Sequence, residues 1–302
     1  MNVLYVTILS ITVLLVVLIR LYLLKKEIKR ATRQLRKIKI GASEKKIDIS
    51  YFDKDFEELA MEVNSQIDLT KNALAEKRRT EIESKKAISY ISHDIRTPMT
   101  SILGYIQLLE ADKLSPELRK EYTRIIKKGA GRLKVLLEEF FELSIIEQAD
   151  YPVVIEMIKL NHVVLEVLVG FYEEFNKRNM EPILNIPDHD IIIMADPSTV
   201  KRVIENLVVN AIRHSSGHIT IQLEKFNSSV QLTISNPVIQ LSEQDLHHMF
   251  DRFYKADQTR TGKGTGLGLP IAKSLMEKMN GLLTAELKEE QLLMKCEWNQ
   301  YK

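Results

Sequence analysis

The sequence predicts a multidomain chain with an N-terminal transmembrane helix, a helical-hairpin dimerisation domain that forms a four-helix bundle in the dimer, and an α+β sandwich domain. Three observations support this fold class. The N-terminus is almost uniformly apolar, helical periodicity predominates between it and Asp150, and short β-type runs alternate with helices after Asp150. We place the domain boundaries at 1–24, 25–76, 77–148 and 149–302.

Composition sets a few limits on function. The chain has 302 residues and a net charge of +2, so no global field directs it toward nucleic acid. Its one cysteine, Cys296, excludes an internal disulfide framework and suits a reducing cytosol. No metal-type Cys/His spacing surrounds it, so we expect a small buried apolar residue there.

The N-terminal segment from Val3 to Leu24 is apolar except for two threonines, one serine and Arg20. At 1.5 Å per residue it reaches roughly 33 Å, which is enough to span a bilayer. A cleaved secretory signal is the alternative. The segment lacks a basic start and a small-residue cleavage site, so we favour an uncleaved anchor.

The charge pattern predicts the orientation of this anchor. Residues 25–40 contain eight Lys or Arg and one acid, Glu27. Under the positive-inside rule they stay in the cytoplasm, which makes the chain a single-pass cell-membrane protein with its N-terminus outside. Only Met1 and Asn2 are then exposed outside. We therefore expect no extracellular sensor domain and a membrane partner, such as a transporter, as the source of the signal.

The linker that follows is predicted to be helix, connector and helix. Residues 25–40 form a basic juxtamembrane helix, Gly41 interrupts it, and residues 46–49 alternate like an extended connector. Helix resumes near Asp55. The arrangement resembles a degenerate HAMP relay, the parallel coiled-coil module of membrane receptors, without that family's early proline. A plain coiled-coil linker remains open.

Two long amphipathic helices are predicted next. The first ends near Glu110, and Ser115 and Pro116 provide an N-cap and a first position for the second. The apolar stripe of the second helix contains Leu118, Tyr122, Ile125, Ile126, Leu133, Leu136, Leu137, Phe140 and Phe141. One hairpin cannot cover both stripes, so two hairpins should pair as a homodimeric four-helix bundle.

The sequence pattern of the C-terminal part predicts helices on one face of a mixed sheet. Asp196 and Pro197 give the middle helix an N-cap and a first position. The predicted helices are 161–178, 197–214 and 269–280, and the predicted strands are Val153–Ile158, Ile191–Met194, His218–Glu224, Val230–Ser235, Leu282–Leu287 and Leu292–Trp298.

The run from Ser92 to Pro98 places a histidine on a polar helix face. Neutral imidazole is nucleophilic, with an ordinary pKa of about 6.5. A neighbouring carboxylate, Asp94, can hold the proton on one ring nitrogen of His93 while the other attacks, and can accept it afterwards. Pro98 removes the hydrogen bond to the carbonyl of residue 94, which loosens the helix. Taken alone, His93 is also compatible with an ordinary solvent-facing histidine.

Two further motifs suggest a site for phosphate groups. Asn206 and Asn210 lie one turn apart on one helix face, where two amide oxygens can ligate Mg²⁺, and Arg213, about one turn further on, can meet a phosphate. Gly264, Gly266 and Gly268 let backbone N–H groups approach phosphates closely. By itself the glycine pattern is equally compatible with a flexible loop.

In this order the motifs resemble those of the bacterial sensor histidine kinases of two-component systems, with a HisKA-type dimerisation domain and a GHKL-type ATPase domain. The resemblance covers roughly residues 75–302. Residues 93–98 resemble the H box, 205–211 the N box, 249–254 the F box and 264–269 the second glycine box. It implies an ATP- and Mg²⁺-dependent protein-histidine kinase that phosphorylates itself and then an aspartate of a cytoplasmic response regulator. Direct binding to nucleic acid is not expected.

The resemblance also implies roles for individual residues. Thr97 would help to place water when the enzyme dephosphorylates its partner, and His214 would stack on the nucleotide. Residues 257–263 resemble the ATP lid, which Phe250, Phe253 and Tyr254 would tether if they do not simply pack in the core. The implied nucleotide-binding residues are Asn206, Asn210, Arg213, His214, Asn236, Lys263, Gly264, Thr265, Gly266, Leu267, Gly268 and Leu269.

One motif departs from the family pattern. Where the family usually has Asp-x-Gly-x-Gly, this chain has residues 236–240 in the sequence Asn-Pro-Val-Ile-Gln. The amide of Asn236 could accept from the adenine amino group and donate to N1 of the ring. The loss of both glycines puts the conformation of the loop and the nucleotide affinity in doubt.

Two other functions are alternatives to a histidine kinase. ATPases of the gyrase, Hsp90 and MutL kind resemble this chain in the N box but carry a water-activating Glu one turn before the Mg²⁺ ligand. Here that position is Asn206, and Glu205 is displaced by about 100° around the helix. The third hypothesis is a membrane scaffold with an inactive kinase domain, which the intact His93 and Asn210 disfavour.

Overall fold

The computed structural model describes residues 2–39, 46–48, 54–110, 114–226, 228–256 and 264–299. Its contacts divide the chain into two compact units, Met1–Lys85 and Lys86–Lys302. The predicted lid at 257–263 lies outside the described residues.

The first unit begins with α1 (Asn2–Lys39), in which the apolar segment and the basic segment form one continuous helix. By length and composition, Leu4–Ile38 is long and apolar enough to cross a membrane, with a mean hydropathy of 2.5 in its most apolar window. Helix α2 (Lys54–Leu109) follows and continues into the second unit.

Three connector residues link α1 and α2 within the first unit. Asn64 on α2 forms two hydrogen bonds with the backbone of Ile47, at 2.8 and 3.0 Å, and Lys46 pairs with Asp68 at 2.7 Å. On the α1 side, the amide of Asp48 donates to Gln34 at 3.1 Å. The connector thus runs antiparallel to α2. This geometry is compatible with both the HAMP-like and the coiled-coil prediction.

The second unit begins with the helical hairpin of α2 and α3 (Pro116–Ile146). Ser115 caps α3 as predicted, because its side chain accepts from the amide of Leu118 at 3.3 Å. Gly129 lets the helices approach, since an added Cβ there would lie 3.1 Å from Ile102. Of the α3 apolar side chains, Leu136, Leu143 and Ile146 are buried in the single chain, whereas Leu118, Leu137 and Phe141 are exposed.

The α+β domain confirms the predicted class. A five-stranded mixed sheet has the order β2-β4-β5-β7-β6, in which β2 and β4 are parallel and the other neighbours antiparallel, and β1 and β3 form a separate antiparallel pair. The strands are β1 (Glu156–Lys159), β2 (Ile183–Asn185), β3 (Ile192–Ala195), β4 (Thr220–Lys225), β5 (Ser229–Pro237), β6 (Leu282–Lys288) and β7 (Gln291–Asn299).

The helices of this domain are α4 (Leu160–Gly170), α5 (Tyr172–Lys177), α6 (Pro197–His214), α7 (Glu243–His248) and α8 (Gly268–Lys278). Helix α6 begins where predicted: the Asp196 side chain accepts from the amides of Thr199 and Val154, both at 2.9 Å. Burial acts to raise the pKa of Asp196, but these bonds and one from Ser198 outweigh it and lower the pKa to about 2. The cap is therefore ionised at neutral pH.

The sandwich core lies between the sheet and helices α6 and α8. Val203, Ile204 and Leu207 on α6 are fully buried, as are Ile221 and Leu232 on the sheet. Cys296 is also fully buried on β7, as predicted, and burial raises the pKa of its thiol.

Three elements differ from the sequence prediction. Strand β2 and helix α7 were not predicted, and the helix expected over 161–178 is interrupted at Phe171. Strand β2 has only three residues, all exposed, so its sequence carries no burial pattern.

Candidate active site

Most of the predicted nucleotide-binding residues line one cavity of about 410 Å³ beside α6. Those that line it are Asn206, Asn210, Arg213, His214, Gly264, Thr265, Gly266, Gly268 and Leu269. The asparagine motif and the glycine loop lie at the same cavity because α6 and α8 pack side by side on the sheet.

The other three predicted nucleotide-binding residues are not among the described residues that line the cavity. The Leu267 side chain is fully buried in the core, so only its backbone is left for the loop, and its amide donates to Thr265 Oγ1 at 3.3 Å. Asn236 is buried and is not among the described residues that line the cavity. Lys263 lies outside the described residues.

Both asparagines of α6 line this cavity. Asn206 Nδ2 donates to the Arg202 carbonyl at 3.0 Å, and its Oδ1 lies 3.1 Å from where a Cβ on Gly268 would stand. Asn210 lines the cavity one turn further on. No group of three or more His, Cys, Asp or Glu among the described residues could hold a metal ion. The amide oxygens of Asn206 and Asn210 are ligands of the kind that a hard cation such as Mg²⁺ accepts.

Arg213 and His214 form the basic end of α6. Burial lowers the pKa of both side chains, and for His214 the charges of Arg213 and Arg178 lower it further. His214 is therefore largely neutral at neutral pH. A neutral ring in the cavity suits stacking on a base, whereas Arg213 supplies charge for a phosphate.

The glycine loop requires glycine most clearly at Gly266. This residue has φ +75°, and an added Cβ would lie 2.8 Å from the Phe253 backbone and the Tyr254 carbonyl. The Phe253 amide donates to the Gly266 carbonyl at 2.9 Å. The F box and the glycine loop are thus in direct backbone contact. Phe253 itself is buried, as the core-packing alternative requires, whereas Tyr254 lines the cavity and its hydroxyl donates to Asp245 at 2.7 Å.

The H box lies on α2, with His93 77% exposed. Its Nδ1 is 3.3 Å from Asp94 Oδ1, which leaves Nε2 as the nitrogen without this contact. Asp94 Oδ2 accepts from the ammonium of Lys255, which also lines the cavity. The Thr97 hydroxyl donates to the His93 carbonyl at 3.1 Å, so it lies one turn beyond the histidine.

The contribution of α3 to this site was not predicted from the sequence. Glu139 lines the cavity and its carboxylate accepts from the Thr265 hydroxyl. Burial raises the pKa of Glu139, although Thr265, Arg202 and Arg213 act to lower it. One turn later, Glu142 pairs with Arg202 through contacts of 2.7 and 2.5 Å. Glu139 sits in an ordinary amphipathic helix, so no local sequence signal could have identified it.

In the altered motif at 236–240, the backbone at Gln240 keeps a conformation that glycine favours. Gln240 has φ +56°, in the left-handed region where glycine is favoured. Asn236 Nδ2 donates to the Pro237 carbonyl at 3.3 Å, and its buried Oδ1 has no hydrogen-bond partner among the described residues. The group left for a ligand at Asn236 is therefore an acceptor.

Two family models match the chain. Residues 83–149 match the His Kinase A (phospho-acceptor) domain, and residues 195–294 match the histidine kinase-, DNA gyrase B-, and HSP90-like ATPase. The first match contains His93 and Asp94, and the second contains the cavity-lining residues of α6 and the glycine loop. The chain belongs to the histidine kinase family.

Several known histidine kinases are similar to this chain over about three quarters of its length. It is 32% identical to the sensor protein VanSC of Enterococcus gallinarum over 72% of this chain and 60% of that one. It is 27% identical to the sensor histidine kinase YcbM of Bacillus subtilis, over 78% of both chains. Among solved structures, the histidine kinase ThkA in a complex with the response regulator protein TrrA matches with a TM-score of 0.62 and 25% identity, over 74% of this chain and 64% of that one.

Gln240→Gly should stabilise the ATPase domain of this chain. A side chain at positive φ costs about 1 kcal/mol, so its removal should raise the free energy of unfolding by roughly 0.5–1 kcal/mol. The single tryptophan, Trp298, is buried on β7, and its fluorescence during urea unfolding reports on this domain. Gln240→Ala removes the same side chain but keeps the Cβ, so it should show no gain. An equal gain in both variants would contradict the strain argument.

Glu139→Gln should tighten the binding of ATP to the cavity. The carboxylate stands in the cavity beside Thr265 and repels a triphosphate, whereas glutamine can still accept the hydroxyl proton. We expect about a tenfold lower Kd at pH 8, measured by titration calorimetry. As the pH falls through the raised pKa of Glu139, the wild-type Kd should approach that of the variant. Wild-type and variant affinities that are equal at pH 8 would contradict this role.

Proposed function

We propose that the chain is a sensor histidine kinase that transfers the γ-phosphoryl group of ATP to His93 and then to an aspartate of a cytoplasmic response regulator. One observation carries the proposal. Lys255 lines the nucleotide cavity and also contacts Asp94, the neighbour of the exposed His93. The predicted acceptor and the predicted ATP site thus belong to one folded unit.

Each side chain of the site has a distinct role in the proposed reaction. Asp94 holds His93 at Nδ1, so that Nε2 is the attacking nitrogen. Asn206 and Asn210 would hold Mg²⁺, which neutralises phosphate charge when bound. Arg213 meets a phosphate, and the backbone of the glycine loop approaches the others.

The experiment is incubation of the full chain in membranes with γ-labelled ATP and Mg²⁺. The proposal predicts a label that acid removes and base does not, because it is a phosphoramidate. The label should be absent in His93→Gln. A label that persists in this variant would show that another residue is the acceptor.

We include phosphatase activity toward the regulator in the proposal. Its support is the position of the Thr97 hydroxyl, one turn beyond His93 on the same helix. Thr97→Ala should slow dephosphorylation of the regulator while autophosphorylation continues. Thr97→Ser keeps the hydroxyl and should therefore dephosphorylate the regulator at close to the wild-type rate. Equal loss in both variants would argue against a role for the hydroxyl.

Dimerisation follows from the exposed apolar side chains of the hairpin. Ile88, Met99 and Leu103 on α2 and Phe141 and Ile145 on α3 are all exposed in the single chain. A second hairpin would bury them in a four-helix bundle. This is also the arrangement typical of the matched phospho-acceptor domain.

Location in the membrane rests on α1. Its apolar part would span the bilayer and its basic part would stay on the cytoplasmic side, with the N-terminus outside. A transporter or another membrane protein as the source of the signal remains a prediction. A normal response to the stimulus by the purified chain alone in vesicles would refute it.

The alternative functions have less support. A gyrase-like hydrolase needs a carboxylate that activates water, but Glu205 pairs with Arg202 at 3.6 Å and does not line the cavity among the described residues. An inactive scaffold has no need for amide oxygens, a basic α6 end and a glycine loop gathered around one cavity.

A further inference from the structure

A second cavity joins the nucleotide site to the H box within one chain. It has a volume of about 250 Å³ and is lined by Asp94, by residues of α3, and by part of the ATP site. The residues common to both cavities are Glu139, Arg213, Gly264 and Thr265. The phosphate end of the nucleotide site therefore borders the space that Asp94 of the same chain lines.

Lys255 fixes Asp94 at this border. The ammonium of Lys255 pairs with Asp94 Oδ2, and both side chains are largely buried, 18% and 21% exposed, whereas His93 is 77% exposed. Asp94 Oδ1 faces Nδ1 of His93 at 3.3 Å. The two carboxylate oxygens thus have different partners, the lysine on one side and the phosphoacceptor ring on the other.

The ATPase domain is held to the hairpin of its own chain by further contacts just beyond the C-terminal end of α3. Arg252 pairs with Glu147 at 2.6 Å, and Lys278 donates to the Gln148 carbonyl at 2.5 Å. These contacts are separate from the H box. They keep the glycine loop next to α2 and α3 of the same protomer.

From this geometry we infer that Lys255 is a positioning residue for Asp94 of its own protomer, and that the phosphoryl group passes to His93 within one protomer. The inference rests on the proposed function, and it specifies that the ATP site and the acceptor histidine belong to the same protomer. In the transfer step the lone pair of His93 Nε2 attacks the γ-phosphorus, and the bond from that phosphorus to the bridging oxygen breaks. The electron pair leaves with ADP, and Asp94 accepts the proton of Nδ1.

A mixed dimer tests the direction of transfer. His93→Gln keeps the ATP site but lacks the acceptor, whereas Asn210→Ala keeps the acceptor but lacks a Mg²⁺ ligand. The two chains carry different tags, are co-expressed, and are purified through both tags. Transfer within a protomer predicts no label in the mixed dimer, because neither chain is complete.

Label on the Asn210→Ala chain at about half the wild-type level would overturn the inference, because it requires transfer between protomers. The wild-type dimer in the same assay separates this result from failure of the proposed function. If the wild-type chain takes up no label either, the kinase proposal itself fails.

The role of Lys255 needs its own readout, since this residue also lines the nucleotide cavity. Lys255→Met should lower the autophosphorylation rate at least tenfold while the Kd for a non-hydrolysable ATP analogue changes less than twofold. Lys255→Arg should restore most of the rate, because it keeps the charge. The matched control is Arg252→Gln, which removes the contact with Glu147 away from Asp94.

Arg252→Gln should lower the rate less than threefold. Equal losses in Lys255→Met and Arg252→Gln would reduce Lys255 to a docking residue and overturn the positioning role. A parallel loss of analogue binding in Lys255→Met would overturn it as well, because the residue would then act on the nucleotide.

Discussion

Replacing Asn210 with alanine is expected to lower the autophosphorylation rate at least a hundredfold without unfolding the ATPase domain. Asn210 lines the nucleotide cavity one turn after Asn206, and its amide oxygen is one of two that would hold Mg²⁺ against the phosphates. Loss of a group that stabilises charge in a phosphoryl-transfer site commonly costs this much. The measurement is the initial rate of label incorporation from γ-labelled ATP at saturating Mg²⁺.

The matched control is Asn176→Ala, which makes the same substitution at an exposed position of α5 outside the cavity. Its rate should stay within twofold of the wild type. Urea unfolding followed by Trp298 fluorescence should give similar midpoints for both variants. A rate near that of the wild type in Asn210→Ala would remove the metal-binding role from α6.

The second large effect is expected for Gly266→Ala, which should weaken ATP binding at least tenfold. The new Cβ would lie 2.8 Å from backbone atoms of Phe253 and Tyr254, and φ +75° is unfavourable for alanine. The loop must then move away from the F box, which would displace the backbone amides that we expect to approach the phosphates. Titration calorimetry with a non-hydrolysable ATP analogue measures the loss.

Gly170→Ala provides the control for this change. Gly170 ends α4, and no atom lies within 4 Å of an added Cβ. Because alanine favours helix, this variant should bind nucleotide normally and be at least as stable as the wild type. Normal binding in Gly266→Ala as well would show that the contact between the glycine loop and the F box does not shape the site.

Much of the fold follows from local signals in the sequence. Ser115 and Asp196 mark the starts of α3 and α6 because a side-chain oxygen next to a proline is the usual beginning of a helix. Helix α7, which was not predicted, has a comparable local signal at its start. The Ser242 hydroxyl accepts from the amide of Asp245, and Asp245 accepts from the amide of Ser242, in a complete capping box.

The cavity itself was predictable for a different reason. Two asparagines in the interior of α6 and three glycines within residues 264–268 are unusual residue choices, so they are conspicuous in a helix and a loop that otherwise follow ordinary rules. Glu139 and Lys255 could not be found in this way. Each is an ordinary charged residue, and its role depends on which element the fold brings opposite to it.

Mapping of the phosphorylated residue tests the central claim most directly. The full chain is incubated with ATP and Mg²⁺, digested at alkaline pH, and sequenced by tandem mass spectrometry of the peptide that contains residues 92–97. The account predicts one phosphoryl group on His93 and its loss after brief treatment with acid. An acid-stable phosphate on Ser92 or Thr97, or an unmodified peptide, would contradict it.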